Sequence, residues 1–248
     1  MLKKIIVLPF LFSFTNNLYA MHISEGILPL NWALLWLGVS VPFLIYGARR
    51  LKRVAQTDLS IKPLVGLMAA VVFIISCMPV PVPIVGTCSH PCGTGIAAIL
   101  LGPSISVLIT GAALLIQAFF LAHGGISTWG ADIVSMGVVG SFSGYCIFKT
   151  LRYFKVNLVI SAFMGGIIAD WATYAMTSIE LASGIRGTQE FTPFFFQILV
   201  AFIPTQIPLG ILEGFITSGM ILMLYKKRPD ILINLNVIEG TINGKNLP

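Results

Sequence analysis

Residues 94–122 read TGIAAILLGPSISVLITGAALLIQAFFLA, an apolar run longer than one crossing of a bilayer needs, interrupted once by Leu101-Gly102-Pro103-Ser104. A helix spans the hydrocarbon with roughly 20 residues. Gly and Pro in sequence end one helix and permit another to start. The run therefore divides into a short segment, Thr94 to Leu101, and a full helix, Ser104 to Ala122. Broken backbone at membrane depth is tolerated only where protein buries it or it lines a cavity, so this break marks the interior of the molecule.

The neighbouring runs say the same about class. Asn31 to Ala48, Pro63 to Met78, Trp129 to Phe148, Val156 to Met176 and Phe194 to Tyr225 are continuous apolar stretches, not the alternating segments of a barrel strand. The expected fold is an all-α integral membrane protein of about seven transmembrane helices, one short and broken. Phe194 to Tyr225 is taken as a single tilted helix, kinked at Pro204 and Pro208, because splitting it would put the Lys226 cluster outside. The composition agrees: 56% of residues are hydrophobic, 10% are charged and the mean hydropathy is +0.93, well away from a soluble domain.

Basic residues fix the expected orientation. Arg49, Arg50, Lys52, Arg53 and Lys62 lie between the first two runs, Lys149, Arg152 and Lys155 follow the fifth helix, and Lys226, Lys227, Arg228 and Lys245 follow the last. Placing these groups in the cytoplasm accounts for all of the 15 basic residues except Lys3, Lys4 and Arg186. The mature amino terminus is then external and the tail, residues 230–248, cytoplasmic. The net charge of +6 is thus a topology signal, not a nucleic-acid footprint.

Residues 1–20 carry Lys3 and Lys4, then an apolar stretch from Ile5 to Phe14, then a polar and small-residue end at Ala20. That order is a cleavable signal peptide, with an uncleaved anchor as the alternative. Cleavage after Ala20 leaves a polytopic domain, residues 21–229, that begins Met21-His22.

Three histidines occur, His22, His90 and His123, and all fall on the external side of this topology. A histidine second in a mature chain offers the α-amine, its own backbone amide nitrogen and its imidazole. Five- and six-membered chelate rings hold these three nitrogens in a plane and leave one corner of a square, for which His90 is the candidate. Such a set suits Ni²⁺, Cu²⁺ or low-spin Co²⁺, whereas Zn²⁺ prefers a tetrahedron and Mg²⁺ or Ca²⁺ prefer oxygen. The bland alternative is an interfacial polar residue near a new terminus. Around His90, Cys88 and Cys92 give C-x-H-x-C within a Gly- and Pro-rich loop; a soft metal site, a disulfide and a purely structural role all fit that spacing.

Met21-His22-Ile23-Ser24-Glu25-Gly26-Ile27-Leu28-Pro29, Ser89-His90-Pro91-Cys92-Gly93-Thr94-Gly95 with Leu101-Gly102-Pro103, and His123-Gly124-Gly125-Ile126 with Gly130-Ala131-Asp132 and Ser135-Met136-Gly137 resemble the CbiM/NikM family. Its members are substrate-binding (S) membrane subunits of energy-coupling-factor cobalt and nickel transporters. The likeness runs from about Met21 to Tyr225. It implies capture of Co²⁺ or Ni²⁺ as cargo by Met21, His22 and His90, with no other cofactor and no catalysis by this chain. It also implies a plasma (inner) membrane location in a bacterium or archaeon. The implied partners are a transmembrane coupling subunit (CbiQ-like), a cytoplasmic ATPase (CbiO-like) and, in some members, a small accessory membrane subunit (CbiN-like). The Ser-His-Pro-x-Gly-Thr-Gly form looks more like the cobalt branch, from which Cys92 in place of Thr and Asp132 in place of Asn depart.

Glu25, Ser89, His123 and Asp132 are the candidates for supporting contacts. A carboxylate at Glu25 can accept from an imidazole N–H and fix its tautomer, or stand as a surface acid. His123, ahead of Gly124-Gly125, is expected to support the loop. Asp170 and Glu213 are acids within spans, and an ionisable group there is functional by default. Asp170 is read as close to an external end, Glu213 as facing a partner subunit, and the two as too separated for a relay. A stand-alone secondary metal permease would need such a relay. A membrane enzyme would need a signature that the chain lacks: there is no His-Glu-x-x-His, no Cys-x-x-Cys and no phosphate loop for ATP.

Overall fold

The computed structural model describes residues 22–78, 80–82, 87–121, 123–242 and 245–247. Residues 1–21, which hold the expected signal peptide and Met21, lie outside the described residues. Helices make up the bulk: α1 (Leu30–Thr57), α2 (Ile61–Ser76), α3 (Thr94–Leu101), α4 (Pro103–Leu121), α5 (Trp129–Tyr153), α6 (Leu158–Ile185), α7 (Phe191–Lys227) and the short α8 (Pro229–Asn234). Among them α1, α4, α5, α6 and α7 are long and apolar enough to cross a membrane. At 16 and 8 residues, α2 and α3 are shorter. The helical expectation holds, with strands in addition: β1 (His22–Ile23), β2 (Val80–Val82) and β3 (Thr87–Ser89) form one small sheet in the order β1-β3-β2, and β4 (Gly240–Ile242) pairs with β5 (Lys245–Leu247) in the tail.

The broken run behaves as its sequence demands. Every residue of α3 is buried, and the helix ends at Gly102 with φ +83°, a left-handed conformation that glycine adopts without steric cost. Pro103 then opens α4, where its missing N–H costs nothing. At the other end Gly93, at φ +69°, turns the incoming loop into α3. A Cβ there would lie 3.3 Å from Ile75 Cβ and Val72 Cα of α2. α3 thus sits in the middle of the molecule, packed on α4, α5 and α6.

Helices α6 and α7 form the most extensive pair. Pro204 and Pro208 lie inside α7, which remains one helix. Side chains bond backbone carbonyls near the prolines: Thr205 Oγ1 donates to Phe202 O (3.0 Å) and Trp171 Nε1 to Gln206 O (2.9 Å).

One boundary corrects the sequence reading. α6 continues past Met176 to Ile185, so Asp170 is not near an end: it lies 12 residues from the start of the helix at Leu158 and 15 from its finish. At 1.5 Å per residue it sits about 20 Å from either end, near mid-span. Glu180, which fell outside the expected span, is inside the helix and fully buried.

Candidate metal centre

The chain around His22 is held from two sides. β1 pairs antiparallel with β3, His22 opposite Cys88 and Ile23 opposite Thr87, which brings the amino-terminal strand alongside the segment that leads into His90. From the other side, the Ile23 N–H donates to Asp132 Oδ1 (3.2 Å) and Thr128 Oγ1 donates to the Ile23 carbonyl (2.7 Å). Ile23 itself is fully buried. Three distant stretches, each carrying one histidine, are therefore tied together: 22–25, 87–92 and 123–132. The sequence motifs name these stretches without saying that they meet.

His90 is buried, and the Tyr174 hydroxyl of α6 clamps its backbone by accepting from His90 N (2.8 Å) and donating to His90 O (3.1 Å). The rings meet edge to face at 6.1 Å. Nδ1 lies 3.0 Å from the Pro91 carbonyl, which can only accept, so the proton resides on Nδ1 and the lone pair on Nε2. Burial pushes the imidazole down to about 4, with the nearby His123 acting in the same direction. The ring is neutral at ordinary pH, the form that binds metal.

The supporting candidates fall into distinct roles. Asp132 holds Ile23, as above. Glu25 accepts from the Ser127 amide (3.1 Å), so the hydrogen bond the structure gives it ties the amino-terminal segment to the loop after α4. The pairing expected for it was with an imidazole N–H. Ser89 Oγ lies 2.8 Å from Thr205 Oγ1 of α7. His123 is half-buried, donates its amide to Gln117 O (3.2 Å), and has a buried Nδ1 without a hydrogen-bond partner. Glu180 is fully buried and close enough to Asp132 for their charges to interact. Sequence reading missed Glu180 and Tyr174. For Glu180 the signal is an acid only a few residues past an apolar run, where the helix had not yet ended.

Cys92 and the two intramembrane acids converge. Cys92 Sγ faces Asp170 Oδ1 at 3.8 Å, and one Glu213 oxygen accepts from the Cys92 amide while the other accepts from Gly93 N (3.0 Å). Ligand atoms of Cys92, Asp170 and Glu213 lie within 4.8 Å of one another, all buried. The acids are 43 positions apart in sequence, yet α6–α7 packing brings them together. The expectation that they are too separated, and that Glu213 faces a partner, is overturned by these contacts. Glu213 satisfies amides at the amino end of α3, where the helix leaves donors unpaired and its dipole favours a negative charge.

Fold and site together define a polytopic helical membrane protein with a buried histidine and a pinned amino-terminal strand beside it. Residues 22–231 match the family described as CbiM, cobalt uptake substrate-specific transmembrane region, and the chain belongs to that family. It is 62% identical over 222 residues to the cobalt transport protein CbiM of Geobacter sulfurreducens, covering 90% of this chain and 64% of that protein. The chain thus spans just under two thirds of that relative's length. It is 52% identical to the cobalt transport protein CbiM of Sorangium cellulosum over 88% of this chain and 97% of the relative. A crystal structure of a truncated transition metal transporter is similar at a TM-score of 0.74 and 28% identity, over 83% of this chain and 99% of that one.

Proposed function

We propose that this chain captures Co²⁺, or Ni²⁺ with lower preference, at the external face. The α-amine of Met21, the amide nitrogen and imidazole of His22, and Nε2 of His90 form a planar four-nitrogen set around the ion. The observation that supports this most directly is the double anchoring of Ile23 to Asp132 and Thr128, which holds the residue after His22 beside the His90 loop. Buried Asp132 and Glu180 place two carboxyl groups close to the terminal strand, and Asp132 is bonded directly to it through the Ile23 amide. Family membership and the names of the relatives support cobalt as the cargo.

In this reading a signal peptide ends at Ala20, the amino terminus is external, and the basic ends of α1, α5 and α7 face the cytoplasm. ATP-driven partners, a coupling subunit and ATPases, move the protein so that the site opens inward. The test is intact-mass analysis of the purified mature chain with and without Co²⁺. A chain starting at Met21 that holds one Co²⁺ more than its amine-acetylated form supports the chelate. Residues 1–20 still attached to transporting protein remove the amine from the mechanism.

The adjacency of Asp170 and Glu213 favours one second reading, a stand-alone permease driven by ion gradients through paired acids. Uptake that persists in sealed vesicles without ATP and partner subunits distinguishes it.

A further inference from the structure

The chemistry below His90 differs from that above it. From the structure we infer that Cys92, Asp170 and Glu213 form a second cation site, a thiolate and carboxylate set near mid-membrane that takes the same Co²⁺ on its way inward. Its existence stands on this geometry; its place in a route rests on the reading of the chain as a Co²⁺ carrier.

Three observations carry it. The ligand atoms already stand within 4.8 Å of one another, a separation that one ion can bridge, and they come from three different elements: the turn before α3, α6 and α7. Asp170 is fully buried with Oδ2 lacking a hydrogen-bond partner, and α7 presents a glycine to that oxygen: a Cβ at Gly210 would lie 3.2 Å from it. A buried unpartnered carboxylate oxygen is rare because it costs free energy that an ion offsets. Finally, Gln206, Gly210, Glu213 and Thr217 recur on one buried face of α7 at spacings of three and four residues. The Gln206 amide atoms and Thr217 Oγ1 also lack partners. A stripe of unsatisfied polar atoms therefore flanks the site along the α6–α7 contact, where purely structural packing would place apolar groups.

The donor set suits a borderline ion. One sulfur and carboxylate oxygens accept Co²⁺ or Zn²⁺ in a roughly tetrahedral arrangement and disfavour Mg²⁺ and Ca²⁺. On binding, the S–H bond breaks and the S–Co bond forms, and the thiol proton leaves the site together with the proton of any carboxyl that ligates in its place. Glu213 keeps its two amide donors and still has lone pairs for the ion. Cys92 is two residues from His90, so a cation released from the planar site meets the sulfur set next.

The experiment is Co²⁺ titration of purified full-length protein, read by the near-ultraviolet thiolate-to-Co²⁺ charge-transfer band. The band is expected in the wild type and in His90→Ala, which lacks the upper site. It should be absent from His90→Ala/Cys92→Ser and weakened tenfold or more in affinity in His90→Ala/Asp170→Asn. In reconstituted uptake, Cys92→Ser should lower the maximal rate at least tenfold with little change in the half-saturating Co²⁺ concentration. No band in wild type or His90→Ala at saturating Co²⁺, a band that survives Cys92→Ser, or wild-type uptake by Cys92→Ser overturns the second site. A wild-type protein that shows the band yet holds no more Co²⁺ than its amine-acetylated form instead overturns the proposed function and leaves this site standing.

Discussion

The Ile23 amide donates to Asp132 Oδ1 at 3.2 Å across 109 positions of sequence, and it does so with both residues buried. Because a buried amide left without an acceptor costs about 1–3 kcal/mol, this bond fixes where the amino-terminal strand runs. Asp132→Ala should therefore weaken Co²⁺ capture about tenfold or more. Asp132→Asn keeps a carbonyl oxygen in place and should stay within a few-fold of wild type. Calorimetric Co²⁺ titration of both variants checks this; equal losses would mean that the charge, not the hydrogen bond, matters.

Tyr174 offers a parallel case on the other wall. Its hydroxyl serves the amide and the carbonyl of His90 at once, so Tyr174→Phe strips two buried backbone groups of that partner while keeping the ring. We expect a lower melting temperature and roughly tenfold weaker capture. His90→Ala should abolish high-affinity capture outright. Uptake by Tyr174→Phe at the wild-type rate and affinity would show that the His90 loop holds its position without the clamp.

Much of this was legible beforehand for local reasons. The Leu101-Gly102-Pro103-Ser104 break announces itself because Gly and Pro act on the nearest backbone, and the observed ends of α3 and α4 follow it. The His-bearing motifs were visible as strings. What they do to one another was not: Asp132 bonding Ile23, Glu25 turning to Ser127, and Asp170 meeting Glu213 depend on helix packing over long separations. Hydropathy also ended α6 too early, since Thr177, Ser178 and Glu180 lower the local average while the helix continues, buried by its neighbours.

Close helix contact in that core makes a prediction about size. A Cβ on Gly144 would lie 2.7 Å from Gly165 O and 2.8 Å from Ala169 Cβ, where α5 meets α6. One added methyl must push the helices apart, so Gly144→Ala should destabilise the protein by about 1–3 kcal/mol. On α1, Gly38 meets nothing within 4 Å, and Gly38→Ala should be neutral or slightly stabilising. Thermal unfolding in detergent compares the two; similar melting temperatures would refute the tight α5–α6 contact.

The Glu25 carboxylate gives a pH signature. The polar Ser127 side chain beside it, and then the Ser127 amide that donates to it, hold it below the usual carboxylate range. A depressed carboxylate stabilises the folded state fully above its unfolded value of about 4.3 and loses that contribution as pH falls through the lower folded value. Glu25→Gln does not titrate. The gap in melting temperature between wild type and Glu25→Gln should thus be constant from neutral pH to about 5 and shrink on further acidification. A gap that closes already between pH 7 and 6 would assign it to another group.

Spacing at the terminus separates a chelate from a histidine that is merely nearby. Inserting one Ala between Met21 and His22 leaves Ile23 bonded to Asp132 and Thr128, so the strand and its pairing with β3 stay where they are. The imidazole now stands third in the mature chain. The terminus then supplies four nitrogens, one amine, two amides and one imidazole, and completes the planar set alone. Co²⁺ should still bind, with the absorption of a four-nitrogen planar complex, but that spectrum should no longer change on His90→Ala. Uptake should fail, because His90 and the loop that carries it no longer take part in holding the ion. If the insertion variant transports normally, the terminus is a tether and not part of a defined coordination plane, and the four-nitrogen site is wrong.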